Sequence, residues 1–288
     1  MDSDPEGITH NKLNIQAAMT SLQSNAPALH NASIVYREDI NEELFIIRVA
    51  PLEGLVPDFI PGQFAEIGLV PEEAWTLDEN LQKKSLIRRA YSIASAPSIR
   101  SYLELYIVKV DGGQLTERLH KLQVGDSLFL AETAKGKFTL DEAPQDTNLL
   151  LIGTGTGLAP FMSMLREFHA QGRWKSITLM HGVRLAQDLG YREEIEKFVS
   201  SSNNVFYIPS TTRENIKSCP PYQGRIPDII KAGVFEQTTG MSLDPKTCHV
   251  FICGNPQMID SVQTLLEEKG FSLHKKKEPG NIHAERYW

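Results

Sequence analysis

The spacing of apolar residues changes near residue 147, and this change constrains the fold of the 288-residue chain more than any other feature. Before it, short stretches rich in β-branched and aromatic residues are separated by glycine and proline, as in antiparallel strands. After it, continuous apolar runs of strand length alternate with runs at helical spacing, as in a parallel sheet covered by helices. We therefore predict two domains, for which the chain length is suitable.

The first domain is predicted to be an antiparallel β-barrel over residues 31–147. Short strands bounded by turn residues favour this architecture. Residues 1–30 are polar and are predicted to form an N-terminal arm, and residues 71–88 are predicted to be a surface insertion. The predicted strands are Leu44–Val49, Gln63–Leu69, Tyr102–Val110 and Ser127–Leu130.

The second domain is predicted over residues 148–288 as a doubly wound parallel sheet, since strands and helices alternate along it. The predicted strands are Asn148–Ile152, Ile177–Met180, Val205–Ile208 and His249–Ile252. A helix is predicted directly after the first of these strands, and further helices at Arg192–Val199, Ile226–Lys231 and Gln257–Lys269.

Charge, cysteine content and hydropathy exclude several classes of protein. The net charge of -7 argues against general nucleic-acid binding, which requires a basic surface. Three cysteines without a CxxC pair make a disulfide framework or a zinc site improbable, and they are too few for an iron–sulfur cluster with four thiolate ligands. Because neither a signal peptide nor a membrane span is recognisable, we expect a cytoplasmic protein that is not integral to the membrane.

A glycine-rich segment, Gly153–Pro160, lies between a predicted strand and a predicted helix. Glycines there allow a ligand to approach the backbone, and the N-terminus of the helix offers amides and a positive dipole to phosphate. Leu158 stands where the dinucleotide fingerprint requires glycine. A tight turn without a ligand explains the segment as well as a nucleotide site does, so both interpretations stay open.

Three arginines of the second domain favour NADP over NAD. Arg184 and Arg213 follow predicted strands, and Arg225 precedes a predicted helix. The carboxyl ends of strands are where doubly wound sheets bind ligands. Guanidinium groups in such positions suit the 2′-phosphate of NADP through bidentate, charge-assisted hydrogen bonds, whereas any one of them alone could be a solvated surface residue.

The segment Arg89–Ser92 is a candidate flavin site at the end of a predicted strand. An arginine can neutralise a pyrophosphate, a tyrosine ring can stack on an isoalloxazine, and a serine hydroxyl can reach its reactive nitrogen. The segment Gly112–Thr116 supports this interpretation, since it brings glycines and a hydroxyl to the start of a predicted short helix. The alternative for Arg89–Ser92 is a strand with one exposed face.

Two further segments carry candidate residues. Cys253–Met258 lies between a strand and a helix, so Cys253 either projects at a reaction centre or is a small buried residue. The chain ends in Glu285–Trp288, and aromatic residues at a terminus indicate docking onto a core or onto a planar cofactor.

Taken together, these segments resemble the ferredoxin–NADP(+) reductases, and specifically their bacterial flavodoxin/ferredoxin reductase branch. The resemblance runs from about residue 31 to residue 288 and follows the family's order of motifs. The motifs are RAYS, GQLT, GTGTGLAP, HGVR, TTRE, GRIP, CGNPQM and AERYW. The resemblance implies an FAD-binding barrel followed by an NADP-binding domain.

The resemblance also implies roles for individual residues. Expected catalytic residues are Ser92, Cys253, Glu285 and Trp288, and Trp288 would cover the flavin and gate the entry of nicotinamide. Expected FAD contacts are Arg89, Ala90, Tyr91, Ser92, Tyr106, Val108, Gly113, Gln114, Leu115, Thr116, Thr156 and Trp288. Expected NADP contacts are Gly155, Thr156, Gly157, Arg184, Thr212, Arg213, Arg225, Cys253, Gly254 and Met258.

The implied activity is a reversible relay in which NADPH gives a hydride to FAD and electrons then pass singly to ferredoxin or flavodoxin. Such partners are acidic, and Lys83, Lys84, Arg88 and Lys275–Lys277 are candidates for a basic docking rim. We expect a monomer that binds no metal. Two alternatives stay open: a reductase component that serves an oxygenase or another protein acceptor, and a flavin-bearing subunit of a larger complex without turnover of its own.

Overall fold

The computed structural model describes residues 27–214 and 221–286 of the chain. The predictions for most of the N-terminal arm and for Trp288 fall outside these residues. Two six-stranded sheets organise the described part, one antiparallel and one parallel, as the change of pattern near residue 147 predicts.

The first sheet has the strand order β4-β3-β6-β1-β2-β5 and is antiparallel throughout. Its edge strands meet in an isolated bridge between Ile93 and Leu105, so the sheet curls around a core that includes Phe45 and Ile67. The predicted barrel is therefore a curled sheet whose edges join at a bridge rather than along a continuous ladder. The strands are β1 (Ala32–Asp39), β2 (Leu44–Pro51), β3 (Phe64–Leu69), β4 (Ile87–Ser92), β5 (Leu103–Val108) and β6 (Ser127–Leu130).

The polar segment between β3 and β4 folds into local structure on the surface. It contains a 3₁₀ turn, Glu72–Ala74, and helix α1, Glu79–Ser85. The Asp78 carboxylate caps α1 by accepting hydrogen bonds from the amides of Asn80 and Leu81. Gln82 is buried and donates to the Trp75 and Leu77 carbonyls, which holds the helix against the turn.

The second sheet is parallel with the strand order β10-β9-β8-β7-β11-β12. Its central strands are buried on both faces, as their continuous apolar runs require. The strands are β7 (Asn148–Thr154), β8 (Ser176–Val183), β9 (Val205–Thr211), β10 (Tyr222–Gln223), β11 (Cys248–Gly254) and β12 (Ile282–Arg286).

Helices follow the strands at the predicted places, with boundaries that differ by a residue or two. Five elements were not predicted: strands β1, β10 and β12, helix α1 and the six-residue helix Val234–Thr239. Apart from β1, each has at most seven residues, too few to show a clear periodic pattern. The helices are α2 (Thr116–Lys121), α3 (Ala159–Phe168), α4 (Arg192–Ser201), α5 (Ile226–Lys231), α6 (Val234–Thr239) and α7 (Pro256–Glu268). Within the described ranges, no helix combines the length and the hydropathy needed to cross a membrane.

Candidate functional site

The glycine-rich segment lies at the carboxyl end of β7, in the middle of the parallel sheet. Gly155–Leu158 forms a 3₁₀ turn that leads directly into α3, whose first turn contains Pro160. A proline there removes an amide that has no partner within the helix. The predicted succession of strand, glycine turn and helix is thus confirmed.

Glycine is required at the positions around this turn for two different physical reasons. Gly155 has a φ of +53° and faces open space, so a side chain there would project into the neighbouring cavity. Gly157 is buried, and a Cβ there would collide with the Cys253 carbonyl of the adjacent strand. Gly254 is similarly close to Thr154 and has a φ of +130°. Close packing of the turns explains Gly157 and Gly254, whereas open space at Gly155 suits a ligand.

This difference gives a matched pair of substitutions. G157A should lower the free energy of unfolding by about 2–3 kcal/mol, because the new methyl group overlaps backbone atoms. G155A should lower it by about 1 kcal/mol, the usual strain of a positive φ, and should raise the Michaelis constant for NADPH. Urea denaturation and steady-state kinetics of both variants check this, and equal losses of stability would contradict it.

A cavity of about 970 Å³ opens at the carboxyl ends of β7, β8, β9 and β11. Among its lining residues are eight of the predicted NADP contacts: Gly155, Thr156, Arg184, Thr212, Arg213, Arg225, Gly254 and Met258. A smaller adjoining cavity of about 410 Å³ is lined by the three arginines together with Asp228. The structure therefore brings together the arginines that are separated in the sequence, and all three are exposed.

The cavity floor also contains a polar group that the sequence did not suggest. The Ser210 side chain is completely buried at the end of β9, and its hydroxyl has no hydrogen-bond partner among the described residues. Because buried hydroxyls are normally hydrogen-bonded, this group indicates a polar ligand in the cavity. The donor set of three guanidinium groups and a hydroxyl fits a phosphorylated nucleotide.

The first sheet supplies one wall of the cavity, which no sequence pattern predicted. The turn between β1 and β2 lines it from Asn41 to Leu44, the first residue of β2, together with Val108 of β5. The Asn41 amide donates to a carboxylate oxygen of Asp188 at 2.9 Å, which fastens this turn to the second sheet. The cavity is thus built by both sheets, and Val108, a predicted FAD contact, faces the nucleotide cavity.

Strand β4 has the open surface that a flavin needs. Arg88, Arg89 and Ala90 are all exposed, so β4 lacks the alternation of a strand that is covered on one face. The Arg89 guanidinium donates to the Arg88 carbonyl at 2.7 Å, and its remaining N–H groups suit an anion. Tyr91 is half-buried, and burial raises the pKa of its hydroxyl. A cation, an accessible small residue and a ring in succession fit FAD.

The other predicted flavin contacts occupy varied positions. The Thr116 hydroxyl accepts a hydrogen bond from the Val110 amide at 3.1 Å, which closes the turn that contains Gly113. Gln114 is exposed beside it, and Leu115 is buried. Tyr106 is buried between the two sheets, where its ring packs against Tyr191. The structure therefore gives Leu115 and Tyr106 packing contacts, and their roles toward FAD stay predictions.

The end of β4 meets the last strand of the second sheet. The Ser92 hydroxyl donates to the Glu285 carboxylate at 3.5 Å across 193 residues of sequence. Glu285 pairs with Cys253 in the register of β12 and β11, and Gly254 beyond Cys253 lines the cavity. Cys253 is completely buried, so its direct contact with a substrate stays a prediction. Ser92 and Glu285 thus join the end of β4 to β12, the neighbour of the strand whose end lines the cavity.

Burial raises the pKa of Glu285 from 4.5 to about 7, and the hydrogen bond from Ser92 opposes this shift. In the folded chain Glu285 therefore holds a proton between about pH 4.5 and pH 7, where the unfolded chain has released it. Since the folded state binds the extra proton, stability falls as the pH rises through this window.

The variant E285Q should not lose stability in this way as the pH rises. The difference in free energy of unfolding, E285Q minus the natural chain, should therefore be about 2 kcal/mol larger at pH 8 than at pH 5, after allowance for partial solvent access. Urea denaturation at both pH values measures the difference, and an unchanged difference would contradict the raised pKa.

Two family models match the chain in the order of its two sheets. Residues 59–140 match the oxidoreductase FAD-binding domain, and residues 151–264 match the oxidoreductase NAD-binding domain. The first match includes β4 and the Gly112–Thr116 turn, and the second includes the three arginines and the glycine turn that line the cavity. The resemblance inferred from the motifs is thus confirmed at the level of both domains.

Individual relatives cover most of the chain. The flavodoxin/ferredoxin–NADP reductase of Buchnera aphidicola subsp. Schizaphis graminum is 33% identical over 259 residues, which are 90% of this chain and 98% of the relative. The Escherichia coli K12 protein of that name is 35% identical over 234 residues, 80% of this chain and 88% of its own. A Neisseria gonorrhoeae ferredoxin NADP+ reductase, crystallised with FAD and NADP, is 26% identical with a TM-score of 0.79, covering 91% of this chain and all of that one. The chain belongs to the flavodoxin/ferredoxin–NADP reductase family.

Proposed function

We propose that the protein is an FAD-dependent reductase that exchanges electrons between NADPH and ferredoxin or flavodoxin. The observation that supports it best is the contact between Ser92 and Glu285, since it joins the predicted flavin strand to β12, the neighbour of the strand whose end lines the nucleotide cavity. Two redox groups can exchange a hydride only when their sites are adjacent. The names of the relatives support the choice of NADPH and of the protein acceptors.

FAD would accept a hydride from NADPH and release electrons one at a time, chemistry that the side chains themselves do not supply. The chain binds and orients the reactants. Arg184, Arg213 and Arg225 hold the 2′-phosphate of NADPH. The glycine at position 155 leaves room for NADPH to approach the backbone of the turn. Arg89 binds the pyrophosphate of FAD, and Tyr91 and Ser92 orient its ring.

Glu285 manages a proton at this junction. With a pKa of about 7, its carboxyl group is protonated in part of the population at neutral pH and can donate as well as accept. The Ser92 hydroxyl fixes its orientation by a hydrogen bond to Oε2. The gating role of Trp288, the monomeric state and the cytoplasmic location belong to the same proposal.

The candidate cations of the docking rim differ in how far neighbouring carboxylates offset their charge. Lys83 pairs with Glu79 at 2.6 Å and Lys275 with Glu278 at 3.2 Å, so neighbouring carboxylates offset these cations. Arg88 lies 3.6 Å from Glu66 and directly precedes Arg89 on β4. Among these three cations, Arg88 is therefore the one that lies on the predicted flavin strand itself.

The purified protein should be assayed for NADPH-driven reduction of ferredoxin and flavodoxin side by side, with an artificial one-electron acceptor as a control. Reduction of either protein at a rate comparable to that of the artificial acceptor supports the proposal. Reduction of the artificial acceptor alone would favour the alternative of a reductase component for another protein acceptor.

A further inference from the structure

One turn of α3 is fastened to the backbone that directly follows the flavin strand. The Ser163 hydroxyl donates to the Ser95 carbonyl at 2.7 Å, and Arg166 Nη1 donates to the Ala94 carbonyl at 2.8 Å. Ser163 and Arg166 are three residues apart and so share one face of the helix. Ala94 comes two residues after Ser92, and α3 begins at the end of the glycine turn that contains Thr156.

The same guanidinium group is held on its other edges by two carboxylates. Arg166 Nη1 lies 2.6 Å from Glu104 Oε1 on β5 of the first sheet. Arg166 Nε and Nη2 each lie 2.7 Å from an oxygen of Glu194 on α4. This fork-to-fork pair permits one orientation of the planar group, which a lysine could not reproduce.

Glu104 is itself fully engaged and almost completely buried, with 2% of its surface exposed. Its second oxygen accepts from Arg48 Nε at 2.8 Å, and the Tyr191 hydroxyl donates to its first at 3.0 Å. Burial opposes ionisation of Glu104, but Arg166 and the hydrogen bonds from Arg48 and Tyr191 outweigh it and lower the pKa. Two cations and two carboxylates form this cluster around the buried Glu104 carboxylate, so it is neutral as a whole.

The backbone at Tyr191 adds an independent observation. Its φ is +59°, in the left-handed region that residues other than glycine rarely occupy. The ring packs against Tyr106 of the first sheet, and the hydroxyl binds Glu104. Strained conformations persist where the surroundings determine them strongly, and they cluster at functional sites. The backbone conformation, the ring contact and the hydroxyl hydrogen bond of Tyr191 therefore all fix how the two sheets pack at this cluster.

We propose that Arg166 is a positioning residue that sets the spacing between the flavin site and the nucleotide site. This inference rests on the proposed function. Arg166 does not line the nucleotide cavity, but it holds the backbone two residues after Ser92 against the helix that follows the glycine turn. Because a misplacement of 1 Å can slow a reaction by about 100-fold, a fixed spacing here matters for hydride transfer.

The test uses full-length R166Q and R166K with bound FAD, and R192Q as a control. Arg192 is a partly exposed arginine whose salt bridge to Glu196 at 2.7 Å lies within one helix. In R166Q, flavin reduction by NADPH in a single turnover should slow by about 10–100-fold. NADP+ binding should stay within about twofold, and the reduced protein should pass electrons to an artificial acceptor at the natural rate. R166K should be intermediate, and R192Q should match the natural chain.

Calorimetry supplies a readout that is independent of activity. The natural chain should unfold in one transition, and the transition of R166Q should be broader and lie at a lower temperature, because one of the contacts that hold the two sheets together is lost. Should R166Q not fold, S163A and Y191F each remove a single hydrogen bond of the cluster and should slow hydride transfer by a few fold. Folded variants with natural hydride-transfer rates, or equal losses in both half-reactions, would overturn the positioning role. Absence of flavin reduction by NADPH in the natural chain would instead overturn the proposed function.

Discussion

Replacing Arg184 and Arg213 together with alanine should raise the Michaelis constant for NADPH by about a thousandfold. Each guanidinium group contributes a charge-assisted hydrogen bond worth about 1.5–3 kcal/mol, and about 1.4 kcal/mol corresponds to a factor of ten. Since NADH lacks the 2′-phosphate, its constant should change by less than about threefold. Both arginines line the same cavity, and both are exposed before a ligand binds, so their removal leaves no buried partner unpaired.

The control for this variant is R192A/K246A, which removes one partly exposed and one fully exposed cation, both outside the cavity. Its constants for NADPH and NADH should both stay near those of the natural chain. Initial rates with each coenzyme, measured for the three proteins, give the comparison. Equal effects of R184A/R213A on NADPH and NADH would show that these arginines do not recognise the 2′-phosphate.

Replacing Glu104 with alanine should lower the free energy of unfolding by about 3–5 kcal/mol. The substitution removes the carboxylate that binds Arg48, Arg166 and Tyr191 and leaves a guanidinium charge with reduced compensation in a buried place. For a chain of this size, such a loss corresponds to a decrease in melting temperature of about 10 °C. Thermal unfolding of the FAD-bound protein measures it.

Glu196 offers a matched control, because its carboxylate also binds an arginine but on an exposed helix surface. E196A should change the free energy of unfolding by less than about 0.5 kcal/mol. If E104A were no more damaging than E196A, the buried cluster would not stabilise the contact between the sheets. A double-mutant cycle of E104A with R166Q measures how much of the stability lost in E104A depends on Arg166.

The sequence predicts the fold well where a pattern extends over many residues. The apolar runs at β7, β8, β9 and β11 are continuous, so their number, their type and their parallel arrangement follow from the pattern. Strand β12 and helix α6 are short and lie next to polar or glycine-containing loops, so they lack such a pattern. The curl of the first sheet depends on the bridge from Ile93 to Leu105, which is a tertiary contact.

In the candidate site, too, features set by a sequence pattern are predictable and features set by tertiary contacts are not. Arg184, Arg213 and Arg225 are predictable because the carboxyl ends of parallel strands meet at one edge of a sheet. The wall from Asn41 to Leu44 is not, since it depends on how the two sheets pack against each other. Nor is the pair of Glu104 and Arg166, whose partners lie 62 residues apart. The resemblance implies an FAD contact for Tyr106; the structure shows its ring packed against Tyr191 between the sheets, and the FAD contact stays a prediction.

The most direct test of the account is anaerobic titration of the purified chain with NADPH, followed by visible absorption, with NADH as the comparison. We expect a flavin spectrum in the protein as purified and its bleaching by a stoichiometric amount of NADPH, while NADH acts far more slowly. A protein without a flavin spectrum even after incubation with FAD, or a bound flavin that NADPH does not reduce, would contradict the account.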